Sequence, residues 1–353
     1  MGKFFRRANA REHGSDGAPA VASRRMKGRP QQSQSTSGPR TLSVTERGDG
    51  QRLDNFLLRE LKGVPKSLVY RLVRKGAVRV DGRRAKVTQR LSLGSEVRVP
   101  DLDRPEAVDR DIPPGVLDRL RRSILHEDDQ VLVLDKPSGL AVHGGSGLAF
   151  GIIEAMRQLR PGSELELGHR LDRETSGCLL LAKTRSGLQD FHAALREGRV
   201  EKRYLALLVG AFPSDQPIAC DEPIASSRGQ DGKRRMRAGE DADPESARSA
   251  ISQFVPLERY GSFQLAEVRI GTGRTHQIRV HGQAIGHPVG GDHDYGLPDA
   301  NRVLRRAGLK RLFLHAQALQ YEDSAGESHV YSAPLPDELQ SVLDALASPE
   351  VSE

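Results

Sequence analysis

Between Gln51 and Pro100 the apolar residues keep a helical period. Leu53, Phe56, Leu57 and Leu61 share one face, Gly63 and Pro65 interrupt the chain, and Ser67 is placed to cap a second helix bearing Leu68, Val69, Leu72 and Val73. Gly76 ends that helix. Val78-Arg79-Val80 then alternates into an Asp81-Gly82 turn, and Val97-Arg98-Val99 closes a small domain over residues 50–100. From residue 123 onward strand patterns dominate. They predict a hairpin of 123–126 with 131–134, a buried strand at 178–182, and strands at 202–209, 249–257, 262–270 and around 313–315. Helices are expected at 151–159, 188–195, from a Thr275 cap to about 284, and at 336–346. Strands arrive in adjacent pairs with helices interspersed irregularly. The fold expected for 123–348 is therefore α+β, built on a mixed, mostly antiparallel sheet.

Three stretches fall outside these patterns. Residues 1–45, rich in Arg, Ser, Gln, Gly and Pro, read as a disordered basic arm. Residues 101–122 read as an Asp-, Arg- and Pro-rich linker, and 226–248, which contain Lys233-Arg234-Arg235, as a flexible solvated excursion.

Charge sharpens this division. The chain carries +7 overall, yet residues 1–40 hold nine Lys/Arg against Glu12 and Asp16, and residues 51–100 hold thirteen against Asp54, Glu60, Asp81 and Glu96. The positive field is thus concentrated at the N-terminal end, as binding to a polyanion such as nucleic acid requires. In the small domain Lys66, Arg71, Arg74, Lys75 and Arg79 form the candidate RNA-binding face. Tyr70 is the only aromatic there, so backbone and shape recognition is expected over base stacking. Two cysteines, Cys178 and Cys220, make no disulfide framework and suit a reducing cytoplasm; no apolar run is long enough to span a membrane. The Arg-rich start lacks a secretion signal and leaves an organelle leader open.

Chemistry concentrates at His169-Arg170-Leu171-Asp172-Arg173-Glu174-Thr175-Ser176-Gly177, immediately before the apolar run at 178–182. Charges beside a buried strand are costly unless paired or used. Arg170 and Asp172, two apart, project from one face of an extended chain. A metal site would draw on His276, His281, His287, His293, Asp292 and Asp294, but none stands in a ligand motif. No Gly-x-Ser-x-Gly elbow is present, and Cys178 in its apolar run reads as an inert core thiol. The Gly-rich loop 144–147 lacks both a Walker and a dinucleotide spacing. Asp172 remains as nucleophile or base, with Arg279 as the cation that keeps it ionised. A carboxylate acting on RNA needs a nucleotide flipped out of its stack.

Four ordered segments carry a resemblance. Gly168 through Gly177, Leu134-Asp135-Lys136-Pro137-Ser138-Gly139, Lys202-Arg203-Tyr204, and Gly273-Arg274-Thr275-His276-Gln277-Ile278-Arg279-Val280-His281 are similar to the signatures of the RluA family of pseudouridine synthases. The small domain resembles the S4-type RNA-binding domain in length, order and charge. Leu61-Lys62-Gly63-Val64-Pro65-Lys66-Ser67 and Val142-His143-Gly144-Gly145-Ser146-Gly147-Leu148 look most like the C type within the family, which acts on uridines of 23S ribosomal RNA.

The resemblance implies cleavage of the uracil N-glycosidic bond, rotation of the base and rejoining through carbon, with no cofactor and no metal. Asp172 would be the essential carboxylate, attacking C1′ or C6 or assisting removal of the 2′ proton; these routes stay open. Tyr204 would pack on the uracil or accept the C5 proton, and Arg279 would pair with Asp172. Arg170 would fill the gap left by the flipped base, Ile278 would contact the ring, and His169 and Lys136 would complete the substrate-binding set. The expected partner is 23S ribosomal RNA, bound by a monomer. The alternatives are a D-type or transfer-RNA enzyme, or a ribosome-assembly factor that binds without catalysing. Cys178 and residues 226–248 depart from the family pattern or match it loosely.

Overall fold

The computed structural model describes residues 39–61, 64, 66–101, 112–144, 149–228, 234–239, 242 and 245–348, apart from the side chains of Lys66, Ser67, Arg228 and Arg234. The arm up to residue 38, residues 145–148 of the Gly-rich loop and Lys233 lie outside the described residues. The described chain forms two compact units, one ending before residue 102 and one beginning at Ile112.

The first unit runs β1 (Arg40–Ser43), α1 (Leu53–Glu60), α2 (Lys66–Arg74), β2 (Arg79–Val80), β3 (Arg83–Arg84) and β4 (Glu96–Val99), with its antiparallel strands in the order β1-β4-β2-β3. The helical faces read from the sequence are its core. Leu53, Phe56, Leu57, Val69 and Val73 are buried against Val78, Val80, Val97 and Val99. The two helices are also tied by a polar contact, in which the buried Asp54 carboxylate accepts from the Arg52 guanidinium and from the Tyr70 hydroxyl at 2.7 Å. Two expectations need correction. Helix α2 begins at Lys66, so Ser67 lies in its first turn and is not the cap. Residues 40–43, expected within a disordered arm, pair with β4 from Arg40↔Val99 to Ser43↔Glu96. Only Leu42 among them is apolar, so the strand owes its existence to its partner and not to a local pattern.

The second unit runs α3 (Pro114–Arg122), β5 (Ile124–Glu127), β6 (Val131–Lys136), α4 (Ile152–Leu159), β7 (Glu166–Leu167), β8 (Ser176–Ala182), α5 (Arg185–Arg196), β9 (Val200–Val209), β10 (Ile218–Cys220), β11 (Ile224–Arg228), β12 (Arg234–Ala238), β13 (Ser252–Tyr260), β14 (Phe263–Ile270), α6 (Gln277–Ala284), α7 (Pro298–Arg306), β15 (Leu314–Glu322), β16 (Ser328–Ser332) and α8 (Asp337–Ala347). Its main sheet is ordered β10-β13-β14-β9-β15-β8-β6-β5, with β16 on β15 and β7 on β8. Among the described pairings only β15 with β8 is parallel. The mixed, mostly antiparallel sheet is therefore as expected.

Strands β6 and β8 are buried on both faces, which explains their unbroken apolar runs. Leu132, Leu134, Leu179 and Leu181 share a cluster with Leu120 of α3 and with Ile152 and Met156 of α4. Val131, Val133, Cys178 and Leu180 share another with Phe191 and Ala194 of α5. Cys178 is a core thiol whose pKa is pushed up to about 12 by burial and then by the negative charge of Asp135.

Several expectations are overturned here. Residues 114–122, expected to be linker, are α3, opened by Pro114 at its first turn and anchored by the fully buried Leu120. Val116, Leu117 and Leu120 have helical spacing, but flanking Arg and Pro mask it. The 226–248 excursion contains most of the hairpin β11–β12, paired from Ile224↔Ala238 to Arg228↔Arg234. Helix α7 stands where the sequence pattern predicts none. Thr275 does not cap α6; His276 holds that position, in the left-handed region at φ 56°, with no side-chain cap.

Candidate active site and basic face

The charged segment leaves the end of β7 and turns back into β8, in a place where the sheet divides. Strand β8 pairs with β15 only at Ser176 and Gly177, and with β7 at Leu181 and Ala182. Gly177 has φ +108°, and a Cβ there would lie 2.2 Å from the Ala316 carbonyl oxygen, so only glycine permits this junction. His169 is used within the same junction. Its Nε2 accepts from the Leu180 N–H, its Nδ1 is enclosed without a partner, and burial drives its pKa down to about 3 with Lys202 adding to the shift. His169 thus serves the sheet and does not line the cavities described below.

Lys136 likewise stands apart from them. It has no exposed surface, and its ammonium donates to the carbonyls of Pro137, Leu140 and Arg173 at 2.8–3.1 Å. Burial draws its pKa down to about 7, yet three acceptors match the three N–H groups of its charged form. Ser138 donates to the Glu174 carbonyl, and the Gly139 N–H to that of Arg173. These bonds fasten the Asp172 loop from beneath. The substrate-contact expectation for Lys136 and His169 is corrected accordingly: both are internal supports.

Asp172 itself is half-buried between two adjoining cavities. The narrower, with about 380 Å³ of empty space, is walled by Tyr204, Ile270, Gln277, Ile278 and Leu314; the wider, about 1050 Å³, by Val142, His143, Thr275 and His293. Arg170, Leu171, Asp172, His276 and Arg279 border both. The structure therefore brings together Asp172, Arg170, Tyr204, Ile278 and Arg279 of the expected set. Tyr204 and Ile278 are buried, Arg170 exposed. Burial, and then the charge of Asp172, raises the pKa of the Tyr204 phenol well above its ordinary value, which keeps the hydroxyl protonated.

Arg279 reaches Asp172 at 3.7 Å, but its stronger partner is one that sequence reasoning does not assign to it. Asp292, buried in the loop after α6, takes Nε and Nη2 of Arg279 at 2.6 and 2.8 Å, and Asp294 takes Nη2 at 3.1 Å. The guanidinium also lies over the Tyr295 ring, 4.9 Å from its centre. Burial opposes both charges, yet the pair outweighs it: Arg279 is held above its ordinary pKa and Asp292 below. Backbone N–H groups of Asp294 and Tyr295 complete the hydrogen bonding of Asp292, and Asn301 of α7 fixes its carbonyl. The signal available in the sequence is Gly291-Asp292-His293-Asp294-Tyr295, which there reads as a loop whose Asp and His residues stand in no ligand motif. Among the described residues the candidate metal ligands do not converge: His281 bonds Ser252 and the Glu222 carbonyl, and His287 the Val209 carbonyl.

In the first unit Arg71, Arg74, Lys75 and Arg79 are all exposed, while the Lys66 side chain is not described. Arg79 stands directly opposite Arg84 on β3 and Arg98 on β4, and all three are exposed. Like charges across strands weaken a sheet, so this row is an exposed concentration of positive charge that pairing within the sheet does not explain.

A half-buried carboxylate–arginine pair between two cavities, in a chain that also carries a row of exposed arginines, fits an enzyme that acts on nucleic acid. The comparisons with known proteins identify which. Residues 130–284 match the RNA pseudouridylate synthase model and residues 51–97 the S4 domain model. The chain is 45% identical over 309 residues to ribosomal large subunit pseudouridine synthase C of Pasteurella multocida, covering 86% of this chain and 93% of that protein. With the protein of the same name from Escherichia coli K12 it is 44% identical over 317 residues, covering 88% and 98%. The solved structure of human RNA pseudouridylate synthase domain containing 4 aligns with TM-score 0.53 and 28% identity, over 66% of this chain and 95% of that one. The chain belongs to the RNA pseudouridylate synthase family.

Proposed function

We propose that this enzyme isomerises uridines of large-subunit ribosomal RNA to pseudouridine, with Asp172 as the essential carboxylate. The observation that carries the reading is the position of Asp172: at the junction of two cavities, beside an Arg279 whose orientation Asp292 fixes. Preorganised charge of this kind acts where charge changes during reaction. The narrow cavity takes the flipped uracil, with Tyr204 and Ile278 packing on the ring. The protonated phenol favours that packing role for Tyr204 over proton abstraction. Arg170, exposed at the rim, occupies the space the nucleotide vacates. Arg71, Arg74, Lys75 and Arg79 of the S4 unit hold phosphates. No cofactor enters this chemistry, and one chain supplies every residue of it, so a monomer suffices. Ribosomal RNA as substrate supports work in the cytoplasm; no described helix is long and apolar enough to cross a membrane.

The name carried by the bacterial relatives supports large-subunit RNA as the target. Pseudouridine mapping of 23S RNA from a strain lacking the enzyme tests it. Particular uridines should lose modification and regain it with the wild-type gene. Losses confined to transfer RNA would move the target to that class.

A further inference from the structure

His276 belongs to a matched motif, yet nothing so far gives it work. It is one of two described non-glycine residues with positive φ, and a non-glycine residue held there persists only where its surroundings impose it. His276 borders both cavities together with Asp172. The surroundings also decide where its proton sits. The buried Tyr295 hydroxyl accepts from the Met236 N–H of β12 at 3.1 Å, so that lone pair is taken. The sole described acceptor left to the Tyr295 proton is His276 Nδ1, 2.8 Å away. With Nδ1 accepting, the neutral ring carries its proton on Nε2. Burial favours the neutral ring, holding its pKa below the ordinary value although Asp172 pulls the other way. Nε2 has no hydrogen-bond partner among the described residues and is not one of the enclosed orphan atoms. A fixed N–H donor is thus held on the cavities that Asp172 borders, with no acceptor among the described residues.

We propose that His276 Nε2–H donates to O2 of the target uracil and that Tyr295, seated by β12, is the residue that sets this tautomer. The assignment rests on the reading of the cavity as a uracil site. O2 is favoured over O4 because it is one bond from the carbon flanking N1, at the glycosidic end where Asp172 acts, whereas O4 lies across the ring. When the N1–C1′ bond breaks, its electron pair passes to the base and is shared between N1 and O2. A donor at O2 strengthens as that charge develops and so stabilises the departing base. The hairpin β11–β12 then has a defined task, since its backbone orients a group in the site.

The test is a coupling cycle on an RNA fragment containing the mapped target as uracil, 2-thiouracil or 4-thiouracil. Sulfur accepts hydrogen bonds poorly, so 2-thiouracil should lower kcat/KM of the wild-type enzyme about tenfold. In His276→Leu the same replacement should cost nothing further, and 4-thiouracil should act alike on both enzymes. Tyr295→Phe, which preserves ring packing, should shrink the 2-thio effect at least threefold, and it decides the matter if His276→Leu does not fold. An equal 2-thio penalty in wild type and variants, or coupling that appears at O4, overturns the proposal. Failure of the wild type to convert the all-uracil RNA would overturn the reading beneath it instead.

Discussion

Asp292 and Arg279 show how much of this site depends on single side chains that sequence order keeps apart. Arg279 lies on α6 and Asp292 in the loop beyond, and no periodicity links a helix to the turn that follows it. Arg279 is legible as the cation for Asp172 because a buried carboxylate demands one. Its own anchor is not, because Gly291 to Tyr295 reads as a loop, and nothing in its order points back to α6. Breaking a buried pair strands the remaining charge, so Asp292→Ala should destabilise the protein by about 3–5 kcal/mol. Denaturant unfolding measures this, and a loss under about 1 kcal/mol would show that Asp294 and Asp172 hold Arg279 unaided. Lys136 and His169 teach the converse. Both are charged or titratable and adjoin the reactive loop, yet each spends its hydrogen bonds on backbone.

At the level of elements, those with strong internal periods are readable: α1, α2, β6, β8 and β9 all stand where the apolar pattern puts them. Those made by tertiary contact are not. β1 exists through β4, and β11–β12 exist through each other and through α6, against which β12 packs. The basic character of the S4 unit is legible as charge, but the row of Arg79, Arg84 and Arg98 emerges only once strand register is known. If α2 and this row grip phosphate, Arg71→Ala with Arg74→Ala should weaken binding of ribosomal RNA fragments. It should also reduce the slope of log affinity against log salt by roughly 0.7–0.9 for each phosphate no longer neutralised. An unchanged slope would remove α2 from the interface.

For the whole molecule, two histidines of the catalytic unit, the buried His315 and the partly buried His169, connect the fold to pH. Burial holds His315 at about 4 and His169 at about 3, below the ordinary histidine value near 6.5. Below that value the unfolded chain binds protons that the native state refuses. Stability from these groups is therefore complete above about pH 6.5 and is lost as pH falls toward 4. Unfolding followed between pH 8 and 4 should show this decline, and a flat profile would mean that the rings protonate in place. The two-unit plan and the sheet class are visible in the sequence because composition and strand pairing change sharply along it. The exact division is hidden because α3 is short and flanked by charge.

The central claim is that Asp172 makes this fold an isomerase of uridine. The measurement is tritium released from C5-tritiated, unmodified 23S RNA by wild type and by Asp172→Asn. Wild type should release tritium, and the variant should lose roughly 10⁴-fold in rate while still binding RNA. Release by Asp172→Asn at a rate near that of wild type would contradict the account.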